Sequence, residues 1–420
     1  MIFAALLQMA QMLPCTGQEI DDRGAFLRMK ESMVPVLPES DTVSLVFIGD
    51  VMLHERQITV ARERYLARHG GNPGSVHDGY DFSSYFLDLE DRLASADLAV
   101  ANMEFTLAGP PFSGYPAFSA PDSYAEYMSD CGIDVFLTAN NHILDKGGKG
   151  ALRTLSVYEK MMEEKGIRFT GTSADSAGFT RDNPLVLDVN GLKVALVNFT
   201  YGTNIHIQDR YPKVNRISRE ALSVLMGKAR ESGADLIIAL PHWGEEYSMR
   251  HSAAQEDLAE WLADNGADLV IGTHPHVVQD STVIRTCTAG GREKDIHVIY
   301  SLGNSVSNMS AGVTQIGLLP RVTAVKHLNG KVDLAVGLEY LWCSLPGRLK
   351  DTHCTIPVKE YLDRRGEWKM PYEYDKMVKT YYTVKEKTGV KDCARLIFNS
   401  RYDGNYKDKA DNHPRGDRPG

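Results

Sequence analysis

The feature that most constrains the fold is a repeated alternation of short apolar runs and stretches with helical periodicity, from Val43 to about Asn304. The runs are rich in β-branched residues and end in small or polar ones: SLVFIGD, ADLAVANME, IDVFLTANNH, GIRFTGT, LKVALVNFT, ADLIIALPHWG, ADLVIGTHPH and IHVIYSLGN. Continuous apolar runs of this length predict strands that are buried on both faces. The segments between them, such as SREALSVLMGKARESG, have apolar residues at helical spacing. This alternation predicts an α/β fold.

Two Asn-Gly pairs indicate that the sheet is mixed. LVLDVNGLKVALV and TAVKHLNGKVDLAV both place Asn-Gly between extended runs, which predicts β-hairpins. The predicted organisation is an N-terminal segment over residues 1–42 and a main domain over 43–310. C-terminal strands and helices that pack on this domain follow over 311–404, and a polar, disordered tail over 405–420.

The first residues, MIFAALLQMAQMLP, resemble the apolar part of a signal peptide but contain no basic residue. Whether residues 1–15 are cleaved, or Cys15 carries a lipid, stays open. The six cysteines are scattered without a CxxC pair, so neither a zinc ribbon nor a dense disulfide scaffold is indicated. We expect an exported or membrane-associated protein of the cell envelope, with the cytoplasm as the alternative.

Charge and missing motifs exclude several classes of function. A formal net charge of −9 without a basic stripe argues against nucleic acid as a partner. The sequence contains no P-loop, GxGxxG, GxSxG or HExxH motif. Nucleotide-kinase, Rossmann, serine-hydrolase and zincin functions therefore have no support.

Side chains of the kinds that bind metal ions follow five of the predicted strands. They are Asp50, Glu104, the triplet Asn140, Asn141 and His142, then His242, and the pair His274 and His276. Each alone has a structural explanation, as a helix cap, a turn residue or a hydrogen-bonded core histidine. Their conjunction at strand ends, where α/β sheets bind ligands, favours a metal site. Nitrogen and oxygen ligands without thiolate suit one or two divalent ions of Mn, Zn or Fe.

These residues lie in motifs that resemble the CapA family, the capsule and poly-γ-glutamate biosynthesis proteins related to calcineurin-like metallophosphoesterases. The motifs are GDVML (49–53), ANME (101–104), TANNHILDKGGKG (138–150), PHWGEEY (241–247), GTHPHVVQ (272–279) and YSLGN (300–304). The resemblance implies a calcineurin-like metallophosphoesterase fold, with two mixed β-sheets between helices and the site at one edge.

The resemblance also implies roles for individual residues. Asp50 and His276 correspond to ligands of a first metal ion, and Glu104 to a carboxylate that bridges two ions. Asn141, His242 and His274 correspond to ligands of a second ion. His142 lies where phosphoesterase relatives have a general acid, and Asp145 is expected to orient it.

This sequence departs from the pattern near the first ion. Met52 occupies the position of a phosphoesterase histidine, and His54 is a candidate replacement. Glu104 replaces an aspartate, which lengthens the bridging side chain. Candidate substrate-binding residues are Asn140, Trp243, Glu245 and Tyr247, although Trp243 and Tyr247 have simple packing as an equal alternative.

Three functions stay open at this level. The first is a hydrolase in which metal-activated water attacks a phosphoester or a polyanionic polymer. The second is a non-catalytic envelope protein that binds an anionic polymer and membrane-bound capsule synthase components. The third is a degenerate binding domain without metal.

Overall fold

The computed structural model describes residues 41–70, 79–287 and 293–392. The predicted N-terminal leader with Cys15 and the predicted disordered tail lie outside these residues. Among the described residues, no helix is both long enough and apolar enough to cross a membrane. Cys131, Cys287, Cys343 and Cys354 are described and are free thiols.

The strands in the first half are β1 (Asp41–Val51), β2 (Leu98–Met103), β3 (Val135–Leu137), β4 (Arg168–Thr170), β5 (Thr172–Ser173), β6 (Leu185–Val189), β7 (Leu192–Thr200) and β8 (Lys213–Val214). Those in the second half are β9 (Leu236–His242), β10 (Leu269–Ile271), β11 (Ser281–Cys287), β12 (Glu293–Ile299), β13 (Asn304–Val306), β14 (Ile316–Lys326), β15 (Val332–Ser344) and β16 (Cys354–Pro357).

The helices are α1 (Glu55–His69), α2 (Glu90–Ala94), α3 (Asp122–Asp130), α4 (Gly147–Lys165), α5 (Ser176–Asp182), α6 (Arg219–Glu231), α7 (Ala253–Asp264), α8 (Gly312–Gln315), α9 (Val358–Tyr361) and α10 (Pro371–Thr388). A short 3₁₀ helix spans Arg365–Glu367.

The strands form two large mixed sheets. The first has the order β16-β15-β14-β1-β2-β3-β4, with β13 beside β1, and the second has the order β11-β12-β10-β9-β7-β6. In the first sheet β1 to β4 are parallel, whereas β14, β15 and β16 are antiparallel to their neighbours. In the second sheet β7, β9, β10 and β12 are parallel, with β6 and β11 antiparallel at the edges.

Side chains of the central strands are buried on both faces, as the continuous apolar runs predict. Leu45 and Phe47 of β1 point into the core between the two sheets, which also receives Leu196 and Ile238 of the second sheet. Val46, next to them in β1, points to the opposite face, which α1, α3 and α4 cover. The outer face of the second sheet packs against α6 and α7. The order of layers is therefore helix, sheet, sheet, helix, which confirms the predicted α/β architecture.

Both Asn-Gly pairs form the predicted hairpins. Asn190 and Gly191 join the antiparallel strands β6 and β7, and both have positive φ, 49° and 84°. This is the backbone of a tight hairpin turn, in which glycine is favoured. Asn329 and Gly330 lie between the antiparallel strands β14 and β15.

The C-terminal elements extend the first sheet. β14 pairs with β1 over most of its length, and β15 and β16 continue outward from it. Met377, Tyr381 and Val384 of α10 pack into the same core as the two sheets. The predicted main domain ends at residue 310, and β14, β15 and β16, which complete the first sheet, follow that residue. The domain boundary itself stays a prediction.

Candidate metal centre

The parallel strands of both sheets end at one common edge, and the predicted ligands meet there. From the first sheet come Asp50 at the end of β1 and Glu104 just after β2. From the second come His242 at the end of β9, then His274 and His276 after β10. All five are buried, with at most 3% of the residue surface exposed. A direct link between the sheets is the hydrogen bond from His242 Nε2 to Asn141 Oδ1, at 2.8 Å.

Glu104 lies at the middle of this group. Its Oε1 has no hydrogen-bond partner although it is buried. Three imidazole Nε2 atoms surround this oxygen, those of His142 at 3.9 Å and of His242 and His276 at 3.8 Å. These separations are too long for hydrogen bonds. Two ligands of one ion, each at about 2.0–2.2 Å from it, are at most about 4.4 Å apart. The unpartnered carboxylate oxygen therefore fits a metal ion.

The electrostatics of Glu104 lead to the same conclusion. Burial raises the pKa of its carboxyl well above the usual range, and the nearby charge of Asp50 raises it further. No lysine or arginine of the described residues forms an ion pair with it. A bound cation would supply the missing positive charge and favour the ionised carboxylate.

Potential ligand atoms fall into three groups, within each of which all atoms lie within 4.8 Å of one another. Two of them, Glu104–His242–His274 and Asp50–Glu104–His276, have Glu104 in common. The third comprises Glu246, His274 and His276. The first two groups match the two ion sites that the resemblance implies, with Glu104 between them, and the ligand roles themselves stay predictions.

Asp50 is held in place from three sides. It accepts hydrogen bonds from Asn102 Nδ2 at 2.8 Å and from the backbone N–H of His274 at 3.3 Å. His276 Nδ1 lies 3.1 Å from its other oxygen and 3.0 Å from Asn304 Oδ1. Burial alone would raise the pKa of Asp50, but His276, Asn102 and His274 together lower it. Burial by itself would lower the pKa of His276, but Asp50, Glu246 and Asn304 together raise it.

The other two histidines of the group are held in the neutral form. Burial lowers the pKa of His274 to about 3, and it lowers that of His242 well below the usual range. A neutral imidazole is the form that binds metal ions. His274 Nδ1, moreover, has no hydrogen-bond partner. This nitrogen is therefore a second buried polar atom that a metal ion would satisfy.

The backbone that carries the histidine pair is strained. His274 and His276 have φ of 101° and 57°, in the left-handed region that side chains other than glycine rarely adopt. Gly272 permits this loop to approach its neighbours, since a Cβ there would lie 2.1 Å from the carbonyl oxygen of Tyr300. Strain of this kind persists where the surroundings fix it, and it occurs often at ligand sites.

His142 and Asp145 form the contact that the sequence predicts. His142 Nδ1 lies 2.7 Å from Asp145 Oδ2, and Asn204 Nδ2 donates to Asp145 Oδ1 at 3.2 Å. A consistent assignment has Nδ1–H donating to Asp145, which leaves Nε2 directed toward Glu104. The backbone N–H of Asn204 also donates to the carbonyl of Asn141, at 2.8 Å. Asn204 thereby ties the loop after β7 to both the candidate ligand and the candidate acid.

The remaining predicted residues have different positions. His54 lies directly before α1, where its Nδ1 contacts Gln57 Oε1 at 3.2 Å and the backbone N–H of Asn308 at 3.3 Å. None of the three ligand groups found among the described residues includes it. Asn140 braces the site, because its Nδ2 donates to the carbonyl of Met103 at 2.9 Å.

Of the two alternatives for Trp243, packing is the one observed. The side chain is only 2% exposed, stacks on Tyr300 and donates from Nε1 to the carbonyl of Tyr300 at 2.9 Å. Tyr247 is 55% exposed, and its ring centre lies 6.2 Å from that of His276, so it lies at the rim of the site. Glu245 is exposed and belongs to none of the ligand groups.

Four polar residues of the site were not among the predicted site residues: Asn102, Asn204, Glu246 and Asn304. Asn102, Glu246 and Asn304 lie inside the motifs ANME, PHWGEEY and YSLGN, so these motifs could have indicated them as site residues. Asn204 lies in no motif, and only the folded chain brings it to His142.

Comparison with known proteins now identifies the family. The profile of the family described as bacterial capsule synthesis protein PGA_cap matches residues 44–309, more than half of the chain. The chain belongs to this family. The predicted CapA resemblance is thus confirmed.

Two proteins with similar sequences come from Bacillus. Capsule biosynthesis protein CapA of Bacillus anthracis is 27% identical over 293 residues, which are 67% of this chain and 64% of that protein. PGA biosynthesis protein CapA of Bacillus subtilis (strain 168) is 24% identical over 305 residues, which are 70% of this chain and 71% of that protein. This member of the PGA_cap family therefore spans just under two thirds of the Bacillus anthracis relative.

Solved structures that are similar to this family member have low sequence identity. A 5′-nucleotidase precursor from Thermus thermophilus is 12% identical with a TM-score of 0.41, covering 82% of this chain and 59% of that chain. The calcineurin-like phosphoesterase YfkN from Bacillus subtilis is 13% identical with a TM-score of 0.38, covering 84% of this chain and 100% of that chain. Similarity of this extent identifies neither a ligand nor a reaction for this protein.

Proposed function

We propose that this PGA_cap family member is a metal-dependent hydrolase that acts on a phosphoester or a polyanionic polymer at the cell envelope. The observation that carries the proposal is the buried, unpartnered Oε1 of Glu104, with three imidazole Nε2 atoms 3.8–3.9 Å away. A folded protein rarely keeps such an oxygen without a compensating group. A divalent cation of Mn, Zn or Fe is the group that this mixture of nitrogen and oxygen ligands suits.

The residues that would hold one or two ions are Asp50, Glu104, Asn141, His242, His274 and His276. When bound, such an ion lowers the pKa of a water molecule and polarises the oxygen atoms of a phosphoryl or carbonyl group. Glu104 is common to both buried ligand groups, so it would be the carboxylate shared by two ions if two were bound. Burial lowers the pKa of His242 and of His274, which favours the neutral imidazole that binds a metal ion.

His142 is the residue that would hold and transfer a proton. Its Nδ1–H donates to Asp145, which fixes the ring so that Nε2 is directed toward Glu104. A proton on Nε2 can pass to the oxygen of a leaving group, and Asp145 then stabilises the ring during the exchange. Asn204 donates a hydrogen bond to Asp145 and another to the carbonyl of Asn141. It thereby fixes the position of the His142–Asp145 pair relative to Asn141.

A direct test measures turnover of purified protein with Mn²⁺ or Zn²⁺ on a generic phosphodiester and a generic phosphomonoester. Wild type, His142→Ala and the double variant His274→Ala, His276→Ala are compared, together with wild type in excess chelator. We expect turnover only in the metal-loaded wild type, with strong losses in both variants. Equal, slow turnover by wild type and His142→Ala would exclude the hydrolase function.

A second candidate function is favoured by the family itself, whose description is capsule synthesis. In this function the metal centre binds carboxylates of an anionic polymer, and membrane-bound synthase components are the partners. Cell fractionation and co-purification from cells that make such a polymer test it. Recovery in the cytosolic fraction without any envelope component would count against this function, while metal binding without turnover would favour it over hydrolysis.

A further inference from the structure

The third ligand group places an exposed carboxylate opposite the buried one. Glu246 has a carboxylate oxygen within 4.8 Å of ligand atoms of both His274 and His276. These two histidines belong to different buried groups, His274 to the one with His242 and His276 to the one with Asp50. Glu104 connects the two groups from the buried side. Glu246 reaches one histidine of each group from the solvent side.

The loop that carries Glu246 is fixed against the histidine loop. Tyr247 donates its backbone N–H to the carbonyl of Pro275 at 2.8 Å, and Trp243 donates to that of Thr273 at 3.1 Å. Gly244 has a φ of 93°, and a Cβ there would lie 2.7 Å from the Gln255 side chain, so glycine is required at this bend. The position of Glu246 beside the histidines is therefore set by the backbone on both sides of it.

Glu246 also has no basic partner. Among the described residues, no lysine or arginine forms an ion pair with it. The neighbouring His274, 3% exposed, has an Nδ1 without a hydrogen-bond partner. Glu246, which has no lysine or arginine partner, and His274, which has an unpartnered buried nitrogen, thus belong to one group, and a cation would satisfy both side chains.

We propose that Glu246 is a metal ligand that closes the centre from its solvent side and spans the ions held by His274 and His276. This inference rests on the proposed metal centre and adds a ligand to it. Glu246 supplies an anionic oxygen near His276, on the side where Met52 provides no imidazole. A ligand on the solvent side also occupies a coordination position that water would otherwise take.

The test uses the full chain, stripped of metal with a chelator and titrated with Mn²⁺ alone. Wild type is compared with Glu246→Gln, which keeps the size of the side chain and removes its charge. Glu245→Gln is the matched control, because Glu245 is the adjacent exposed carboxylate and lies outside every ligand group. Free Mn²⁺ is counted by electron paramagnetic resonance, and thermal unfolding in chelator checks that all three proteins are folded alike.

We expect Glu246→Gln to bind at least one Mn²⁺ equivalent roughly 10- to 100-fold more weakly, the range known for residues that support metal ligands. Glu245→Gln keeps the wild-type affinity. Water-proton relaxation at saturating Mn²⁺ is the second readout: it rises in Glu246→Gln, because a water molecule takes the vacated position.

The outcomes separate this inference from the proposed function. The role of Glu246 is overturned if wild type binds Mn²⁺ and Glu246→Gln has the same Mn²⁺ affinity and the same water-proton relaxation. The proposed metal centre would stand in that case. Equal weakening in Glu245→Gln and Glu246→Gln also overturns it, because the effect is then one of general loop charge. Wild type that binds no Mn²⁺ overturns both the centre and its added ligand.

Discussion

Oε1 of Glu104 and Nε2 of His276 lie 3.8 Å apart and face each other without a hydrogen bond. Both side chains are at least 98% buried. Without a metal ion, this carboxylate is fully buried and its Oε1 has no hydrogen-bond partner. Stability and metal binding therefore place opposite demands on Glu104, and substitution of this residue should separate them.

Glu104→Gln should weaken metal binding and strengthen the metal-free fold. Because burial raises the pKa of Glu104, the unfolded chain ionises this carboxyl more readily than the folded protein at pH 8. Removal of the charge should raise the free energy of unfolding in chelator by about 1–3 kcal/mol. Mn²⁺ affinity should fall by at least tenfold. Urea unfolding and Mn²⁺ titration measure the two effects.

The control for this substitution is Glu163→Gln, an exposed carboxylate on α4. It should change the free energy of unfolding by no more than about 0.5 kcal/mol. A metal-free Glu104→Gln protein that is less stable than wild type, with unchanged Mn²⁺ affinity, would show that no cation site is organised around Glu104.

His142→Ala should lower kcat by about 10²–10⁴-fold, which is the contribution typical of a general acid. The Mn²⁺ affinity of this variant should stay within about threefold of the wild-type value. Asp145→Asn should also lower kcat, because an amide oxygen holds the Nδ1–H less firmly than a carboxylate. The pH dependence of kcat distinguishes the two variants, since only His142→Ala removes the acidic group itself. Loss of metal from His142→Ala would instead identify this residue as a ligand.

Asn204→Ala should reduce kcat by roughly tenfold, because it removes the hydrogen bond to Asp145 and loosens the contact with Asn141. Thr203→Ala in the same loop is the control, since Thr203 bonds Arg216 and the carbonyl of Ile205 rather than the site. Steady-state kinetics with Mn²⁺ are the measurement. The same small loss of kcat in both variants would contradict a specific role of the Asn204 side chain in positioning Asp145.

Metal removal should lower the thermal stability of wild type. With free metal at 100 times its Kd, binding stabilises the folded state by about 2.7 kcal/mol. The double variant His274→Ala, His276→Ala should show no such shift between chelator and metal. His327→Ala, in which the lost histidine is 41% exposed and pairs with Asp333, should keep the full shift. Scanning calorimetry decides between these outcomes.

Acid sensitivity of the metal-free protein should depend in part on His353. This side chain is buried, which lowers its pKa to about 3. The unfolded chain binds the proton at about pH 6.5, so the stability is present above that pH and is lost as pH falls toward 3. His353→Gln should reduce the slope of unfolding free energy between pH 6 and 4 by about 1.4 kcal/mol per pH unit. Identical slopes in urea titrations would contradict this assignment.

Local patterns in the sequence were enough to predict the strands and their shared edge. The apolar runs indicate strands such as β1. Successive side chains of a strand point to opposite faces, so a strand that is buried on both faces has a continuous run of apolar residues. Polar residues follow where the strand leaves the core, so the strand-end positions of Asp50 and His242 can be predicted from the sequence. The Asn-Gly hairpins were predictable for a similar reason, since their backbone conformation depends on two adjacent residues.

Only the tertiary structure decided which polar residues face the site. Glu245 and Glu246 are adjacent and chemically identical, yet only Glu246 reaches His274 and His276. Backbone contacts between two loops that are distant in sequence make that choice, through the bond from Tyr247 to Pro275.

Trp243 and Asn204 illustrate the same limit. The sequence leaves Trp243 free to line a cleft or to pack, and its contact with Tyr300, 57 residues away, fixes it in the core. Asn204 reaches His142 across 62 residues without any motif of its own. Chemical type and strand position are thus encoded locally, whereas the direction of a side chain at a loop depends on long-range packing and hydrogen bonds that exist only in the folded chain.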